Sequence, residues 1–384
     1  MPSLEWKTDH NHGPVLVVAG LFFASEGEVA AAAGSRVFLY LPDGGEYRFH
    51  KVYEAGERIV GVSVLRPGDA TEGLLVCTSK CIWIMGVVKG SFIPIQQFHP
   101  CPGAIITCVA SGDVDADGVD EIILGTTQPD MILVFKMSGK FSALRLEQAG
   151  KGNTPGIPRL LEVIPGSGHN PVLAFCEGQG GRIARYTLSG GELLGEIVME
   201  GHHPGVTALI SGNFGPGPGS QMAVGSAGGQ VWLMGAGQKL EVFRVTNSLG
   251  TTVSALAVYK GQPAGLMAGT TEGSVFVFNN PVQQKPELEF SPVEGVSGLA
   301  ELPGGRVAVG TVIGGLQVWS LSAGGKNSGY IVKPGDTLKK ISGAFGVSVD
   351  VLLNLNENIK NPDVILPGQM IKIPVAALHE SQEV

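Results

Sequence analysis

One phrase recurs along this 384-residue chain and constrains its fold more than any other feature. It is an apolar strand, a turn, a strand ending in Gly, another turn, then a strand rich in Val, Trp and Phe. The clearest copies are ITCVASGDVDADGVDEIILGTTQPDMILVFKMSG from Ile106, VTALISGNFGPGPGSQMAVGSAGGQVWLMGAG from Val206 and VSALAVYKGQPAGLMAGTTEGSVFVFNN from Val253. A shortened copy, VSGLAELPGGRVAVGTVIGGLQVWSLSA, starts at Val296, and weaker copies begin near Val15, Ile59 and Pro158. The spacing is about 43 to 52 residues, near the length of a four-stranded unit. Stretches such as VFVF and QVWL, bounded by Gly, read as strands covered on both faces. No such unit covers both faces alone, so the copies must stack about an axis.

Seven copies fit between the N-terminus and about Ala323, so residues 1–323 are expected to form an all-β seven-bladed β-propeller. Six and eight blades are the neighbouring counts. The last copy supplies only three strands, and the N-terminal SLEWKTDH is expected to fill the open place and close the ring. Composition agrees: with 58 Gly, 24 Pro and 16% charged residues, the chain favours short strands and tight turns over helices. The net charge of −8 weighs against nucleic acid or anionic lipid as main partner. No run approaches the eighteen or so apolar residues of a membrane helix, so no membrane insertion is expected. The decamer VLVVAGLFFA reads as a strand in phase with the repeat. It makes no convincing signal peptide, because its leader carries Glu5 and Asp9 against Lys7. Synthesis in the cytoplasm follows. Cys77, Cys81, Cys101, Cys108 and Cys176 lie mostly in apolar surroundings and read as reduced core thiols; a zinc site of the first four has spacings that match no common finger.

The segment GDVDADGVDE departs from the other copies. Asp113, Asp115 and Asp117 alternate, Gly118 permits a sharp bend, Val119 offers a carbonyl and Glu121 closes the set. Hard oxygens in this order suit Ca²⁺, and like charges this close call for a cation. An EF-hand is excluded, because the twelfth position is Leu124 and the flanks are strands. The phrase resembles the FG-GAP repeat of integrin-α-type propellers, which implies one structural Ca²⁺ site. A solvated turn without an ion and a catalytic carboxylate pair are the competing readings.

After AGGKNSG, residues 324–329 read as a linker and the pattern changes to a helical period: Leu338, Ile341 and Phe345, then Val349, Leu352 and Leu353. Residues 330–374 read strand, helix, helix, strand, with Asp336 or Thr337 capping the first helix and a tail at 375–384. The pieces Y-x-V-x-x-G-D-T-L, Asn354/Asn356 and NPDVILPGQ-x-I-x-IP resemble a LysM domain, a small βααβ fold. That resemblance implies binding of N-acetylglucosamine-containing glycan, peptidoglycan or chitin, between two loops. Carried onto this chain, one side is Gly335, Asp336, Thr337 and Leu338, and the other is Lys360, Asn361, Pro362 and Ile365. Backbone groups there would pair with acetamido groups, and Leu338 and Ile365 would touch the N-acetyl methyl. Residues 328–374 carry five Lys against four Asp/Glu, a near-neutral surface suited to an uncharged sugar.

These readings converge on a non-enzymatic adaptor: a glycan-binding tail and a propeller presenting a face to an unknown protein partner, destined for a cell wall or spore surface. Two alternatives stand beside it. One is a glycan-cleaving enzyme targeted by the LysM module, although no G-x-S-x-G or H-E-x-x-H phrase occurs. The other is an assembly module without sugar binding.

Overall fold

The computed structural model describes residues 2–10, 13–20, 22–23, 27–43, 46–68, 72–139, 144–165, 170–177, 181–200, 205–214, 220–235, 242–246, 248–259, 265–281, 286–292, 294–321, 327–332, 336–344 and 370–374, with 349, 352–353, 356, 359 and 365. They fall into two compact units, Trp6–Val318 and a smaller one of Met1–Glu5 with Trp319–Val384.

In the larger unit each copy of the phrase folds as an antiparallel meander. Four strands in sequence order lie within each of residues 15–54, 59–98, 105–153, 157–200, 206–245 and 253–290. A further meander has three strands within 296–320, and Ser3–Asp9 lies beside Gly315–Ser320 as its fourth, the place left open by the sequence. The third and fourth meanders join through one parallel bridge between their outer strands, Lys151 opposite Glu192. The first strand of each meander touches the first strand of the next, and Val296–Leu302 touches Val15–Gly20, so the row closes on itself. Second strands such as Glu28–Ala33, Gly73–Thr78 and Gly265–Thr270 are buried at every residue. Both their faces are covered, which is why they read as continuous small and apolar runs without alternation.

Two devices fasten neighbouring meanders. Six of the seven first strands carry a register shift near their start, at Val60, Thr107, Arg159, Thr207, Ser254 and Ser297. Such a bulge re-aims one side chain out of the ladder. Four of these side chains are hydroxyls, and each donates to the first-strand carbonyl of the following meander: Thr107 to Pro158 (2.6 Å), Thr207 to Val253 (2.5 Å), Ser254 to Val296 (2.6 Å) and Ser297 to Val15 (2.9 Å). At the same four seams the second strand ends in Gly125, Gly225, Gly269 or Gly310, and a Cβ there would collide with Pro158, Val253, Val296 or Val15. The glycine lets the next strand come close enough for its carbonyl to meet the hydroxyl.

Closure is reinforced at His10. Its backbone N–H donates to the Gly314 carbonyl (2.9 Å), Nδ1 donates to the same oxygen (3.0 Å), and Nε2 accepts the Tyr40 hydroxyl at 2.7 Å. Trp6 meets Tyr40 edge-on at 5.1 Å. The five cysteines are free thiols, four buried and Cys101 half-buried. Burial pushes the Cys101 thiol up to about 11, which leaves it protonated near neutrality.

In the smaller unit, Asn327–Ile331 pairs antiparallel with Met370–Pro374, and Leu338–Ala344 forms a helix. The first strand begins earlier than the sequence reading placed it: Asn327, Ser328 and Gly329, assigned to the linker, pair with Pro374, Ile373 and Lys372. Val332, Leu338, Ile341, Leu352 and Ile371 form the core, with Val349, Leu353, Ile359 and Ile365 packed against it. Of the expected second helix, Val349, Leu352 and Leu353 are helical; the rest of it, with Phe345, lies outside the described residues.

The seam geometry sets an expected outcome. A Cβ at Gly310 would lie 2.3 Å from the Val15 carbonyl oxygen, backbone that cannot swing aside, whereas one at Gly235 would meet nothing within 4 Å. Gly310→Ala should therefore lose about 2–3 kcal/mol in urea unfolding, and Gly235→Ala should stay within about 0.5 kcal/mol of the parent.

Candidate functional sites

The acidic loop follows the first strand of the third meander. Asp113, Asp115 and Asp117 converge, their carboxylate oxygens within 4.8 Å of one another. Backbone sets this up: Ala116 and Gly118 have φ of 62° and 89°. Asp113 caps the bend, accepting the N–H groups of Asp117 (3.0 Å) and Gly118 (2.9 Å), while Asp117 accepts that of Val119 at 2.9 Å. The sequence did not point to Lys136. Its ammonium is paired with Asp115 and with Asp117, the latter at 3.2 Å. Its hydrogen bond to Asp115 holds it well above the ordinary lysine range.

Among the described residues Glu121 lies apart from the converging aspartates. The Glu121 carboxylate is buried and accepts the Val114 N–H at 2.7 Å. Burial pushes it up to about 7. Its role recurs in the first meander: Glu28 accepts the Phe22 N–H at 2.8 Å in the same way, although the sequence from 20 to 28 contains no aspartate. In both cases the turn buries an apolar residue, Val114 or Phe22, whose N–H must be satisfied. Val119 offers its N–H to Asp117, and its side chain lies toward Gly68. Asp120, also missed in the sequence, is buried and ties the loop to the second meander: its carboxylate accepts the Arg66 N–H (2.8 Å) and its own N–H donates to the Arg66 carbonyl (2.9 Å).

Asp113, Asp115 and Asp117 are thus the side chains gathered where a hard cation would sit. Asp115 Oδ1 is a buried oxygen without a hydrogen-bond partner, which fits such an ion. Both oxygens of Asp113 accept N–H groups and Lys136 already balances the other two carboxylates, which fits it less well.

Of the expected sugar-binding residues, Asp336, Thr337, Leu338 and Ile365 are described; Gly335, Lys360, Asn361 and Pro362 lie outside the described residues. Thr337 is exposed and is the helix cap: its hydroxyl accepts the Lys340 N–H at 3.2 Å and its carbonyl the Ile341 N–H at 2.9 Å. Asp336 beside it is half-buried. Leu338 needs correction as a sugar contact. The residue is only 2% exposed and belongs to the core. Ile365 packs against the same core and remains half-buried. Asn356 is buried and structural, its amide donating to the Leu352 carbonyl at 2.7 Å.

The ring encloses a cavity of about 310 Å³ lined by first strands, among them Leu16, Val62, Leu209, Leu256 and Leu299. A larger space of about 830 Å³ opens between the first and second meanders, where Arg58 and Glu57 stand beside Pro14, Leu16 and Ile59. On the ring wall, Glu162 accepts the Ser211 N–H (2.9 Å) and hydroxyl (2.7 Å) across a seam. Burial pushes its carboxyl up to about 7 despite those bonds. A carboxyl near 7 has the acidity of a general acid, but this one spends its oxygen on holding two meanders together.

With this geometry in place, comparison with known proteins becomes informative. Residues 330–374 match the LysM domain. Relatives share about that much of the chain. The spore coat assembly protein ExsA of Bacillus cereus is 44% identical over 54 residues, 14% of this chain and 8% of that protein. SpoIVD-associated factor A of Bacillus subtilis (strain 168) is 47% identical over 45 residues, 12% of each. The N-acetylmuramoyl-L-alanine amidase XlyA, also of Bacillus subtilis (strain 168), is 42% identical over 60 residues, 16% of this chain and 20% of that one. Among solved structures, BBS1N in complex with ARL6DN superposes with a TM-score of 0.63 at 15% identity, covering 84% of this chain and 98% of that one. The WD40 β-propeller domain of Doa1 gives 0.62 at 14% identity, covering 84% and 97%. At such identity the likeness assigns fold alone, and the fold is a β-propeller. No helix among the described residues is long and apolar enough to cross a membrane.

Glu162 offers a test of the structural assignment. Between its ordinary 4.5 and about 7, the folded chain holds a proton that the unfolded chain releases. Its contribution to stability is therefore present below that window and lost as pH rises through it. Glu162→Gln stays neutral, so it should gain on the parent by roughly a few degrees in thermal melts between about pH 5 and about pH 8. An equal difference at both values would show that Glu162 ionises freely.

Proposed function

We propose that this chain is a non-enzymatic adaptor. Its LysM module grips an N-acetylglucosamine-containing polymer, peptidoglycan or chitin, and its propeller, read as seven blades, presents a face to a protein partner. The observation that carries the reading is the LysM match at 330–374, supported by a capped helix and a strand pair around a common apolar core. Contact with the sugar falls to Asp336, Thr337 and the loop of Lys360, Asn361 and Pro362. The 830 Å³ opening beside Arg58 supports the assignment of a partner-binding face. Two of the relatives carry names from spore coat and sporulation proteins, which supports a spore or cell-wall destination. The amidase relative shares only the stretch just described, so it lends no catalytic reading to the propeller.

Sedimentation with insoluble peptidoglycan and with chitin tests this. The full chain should pellet with one of them, a chain ending at residue 323 should stay in solution, and Asn361→Asp should weaken pelleting about tenfold. Equal pelleting of the shortened chain would remove the LysM module from the mechanism. Release of soluble sugar would favour the glycan-cleaving alternative.

We further propose that the FG-GAP-like loop takes up Ca²⁺ through Asp113, Asp115 and Asp117 as a structural staple, with Lys136 as the counter-charge when the ion is scarce. The orphaned Asp115 oxygen supports this. Lys136→Met should melt lower than the parent in EGTA and recover in excess Ca²⁺. No response to Ca²⁺ in either protein would leave Lys136 as the loop's sole cation.

A further inference from the structure

One seam of the ring lacks both fastening devices. Val15–Gly20 pairs with Glu28–Ala33 without a register shift, so the first meander has no bulged residue to aim at the second. Its second rung is Leu16 opposite Ala32, where four other meanders place Gly125, Gly225, Gly269 or Gly310 on the second strand. Ala32 carries the Cβ that those glycines omit, and Leu16 has no hydroxyl to donate. The two remaining seams without such a glycine still keep a bulged residue, Val60 or Arg159. The 830 Å³ opening lies at the one unfastened seam, with Leu16 and Ala32 in its wall.

The groups it presents are specific. Pro14, Leu16, Ala32, Ile59 and Val60 make the wall largely apolar. Ile59 occupies the place of Pro158, Val253, Val296 and Val15, whose carbonyls accept a hydroxyl from the preceding meander. The Ile59 carbonyl receives none, because VLVVAG contains no hydroxyl. The rim is pinned: the Ala55 N–H donates to the Ser35 carbonyl and the Ile59 N–H to the Gly34 carbonyl, each at 2.8 Å. Two charged residues line the opening. Lys80 engages Glu57 at 2.7 Å, whereas exposed Arg58 has no ion pair or hydrogen bond among the described residues.

We propose that this seam holds a peptide segment of the partner protein. A branched apolar side chain enters between the two meanders, its main-chain N–H donates to the Ile59 carbonyl, and an acidic neighbour pairs with Arg58. The inference rests on the partner-binding face proposed above and gives that face a place and a chemistry. Burial of the side chain supplies affinity. The unbalanced guanidinium selects for a carboxylate and repels a basic segment. A main chain offers an N–H at each residue other than proline, so a short acidic peptide brings all three groups together. A volume of 830 Å³ is within the range of clefts that enclose a ligand of this size.

Selection of a random heptapeptide display library on the immobilised full chain tests this. Enriched sequences should set Leu, Ile or Val beside Asp or Glu, and a synthetic copy should bind less tightly as salt is added. Arg58→Glu should weaken that peptide about tenfold, with melting unchanged because the residue is exposed. Val60→Trp, which fills the wall, and N-methylation of the apolar residue in the peptide should each weaken binding as well. No enrichment, or enriched peptides without an acidic residue, would overturn the proposal. Equal binding to the parent and both variants would move the partner face elsewhere on the ring and remove it from this seam. Isocaproate binding as tightly as the peptide would make the seam a small-molecule site instead. Pelleting with glycan enters none of these readings, so the sugar-binding proposal fails or stands separately.

Discussion

The ring depends on how closely one meander can approach the next. At four seams a hydroxyl on a bulged residue reaches the next first-strand carbonyl, and a glycine on the second strand makes room for it. Neither device works alone. Without the glycine the carbonyl stays out of reach, and without the bulge the hydroxyl points along its own ladder. Their pairing explains why the recurring phrase begins with Val or Ile followed by Thr or Ser, and why its second strand ends in Gly. Two of the three seams lacking the pair use other bonds. Ser111 donates to the Val64 carbonyl and meets Ser63, and Ser211 donates to Glu162. A buried hydrogen bond of this kind adds only about 1 kcal/mol, but the seams close a cycle, so each one constrains all the others.

The acidic loop shows how a local decoration is laid over a shared scaffold. Every meander must turn from its first strand to its second, and in three of them the turn buries one side chain: Phe22, Val114 or Phe214. In two of these a glutamate at the start of the second strand satisfies the buried residue's N–H. Glu121 is thus committed before any ion arrives. What distinguishes the third meander is the trio of aspartates outside that scaffold, with Lys136 and Asp120 tying them to neighbouring elements. Like charges gathered in one turn are costly, and the pairing with Lys136 offsets part of that cost within the chain itself.

Much of this was legible in the sequence, because short-range pattern and long-range fold agree over most of the chain. Repeat period, glycine positions and apolar runs report strands buried on both faces. The spacing of Leu338, Ile341 and Leu352 reports a helical core face, and these residues are buried together. What stayed hidden depended on partners distant in sequence. The Thr or Ser after the first Val or Ile does not by itself announce a bulge, since only the neighbouring strand reveals the shift at Thr207 or Ser254. Lys136 looks like any exposed lysine until the turn at Asp115 folds back over it. Leu338 reads equally well as ligand contact or core residue. Ile341 and Ile371 decide it, and only the packed module brings them together.

Edges and loops are where this architecture has freedom left for function. The seams consume the polar groups of the first strands, and burial fixes the second, so recognition can vary only at the channel mouth, in the turns and along the outer strands. A lone sugar module binds weakly, because each contact must offset the entropy of holding a flexible polymer. Affinity for a polymer therefore depends on how many such modules act on it together, because each further module meets its sugar at the effective concentration the first has set.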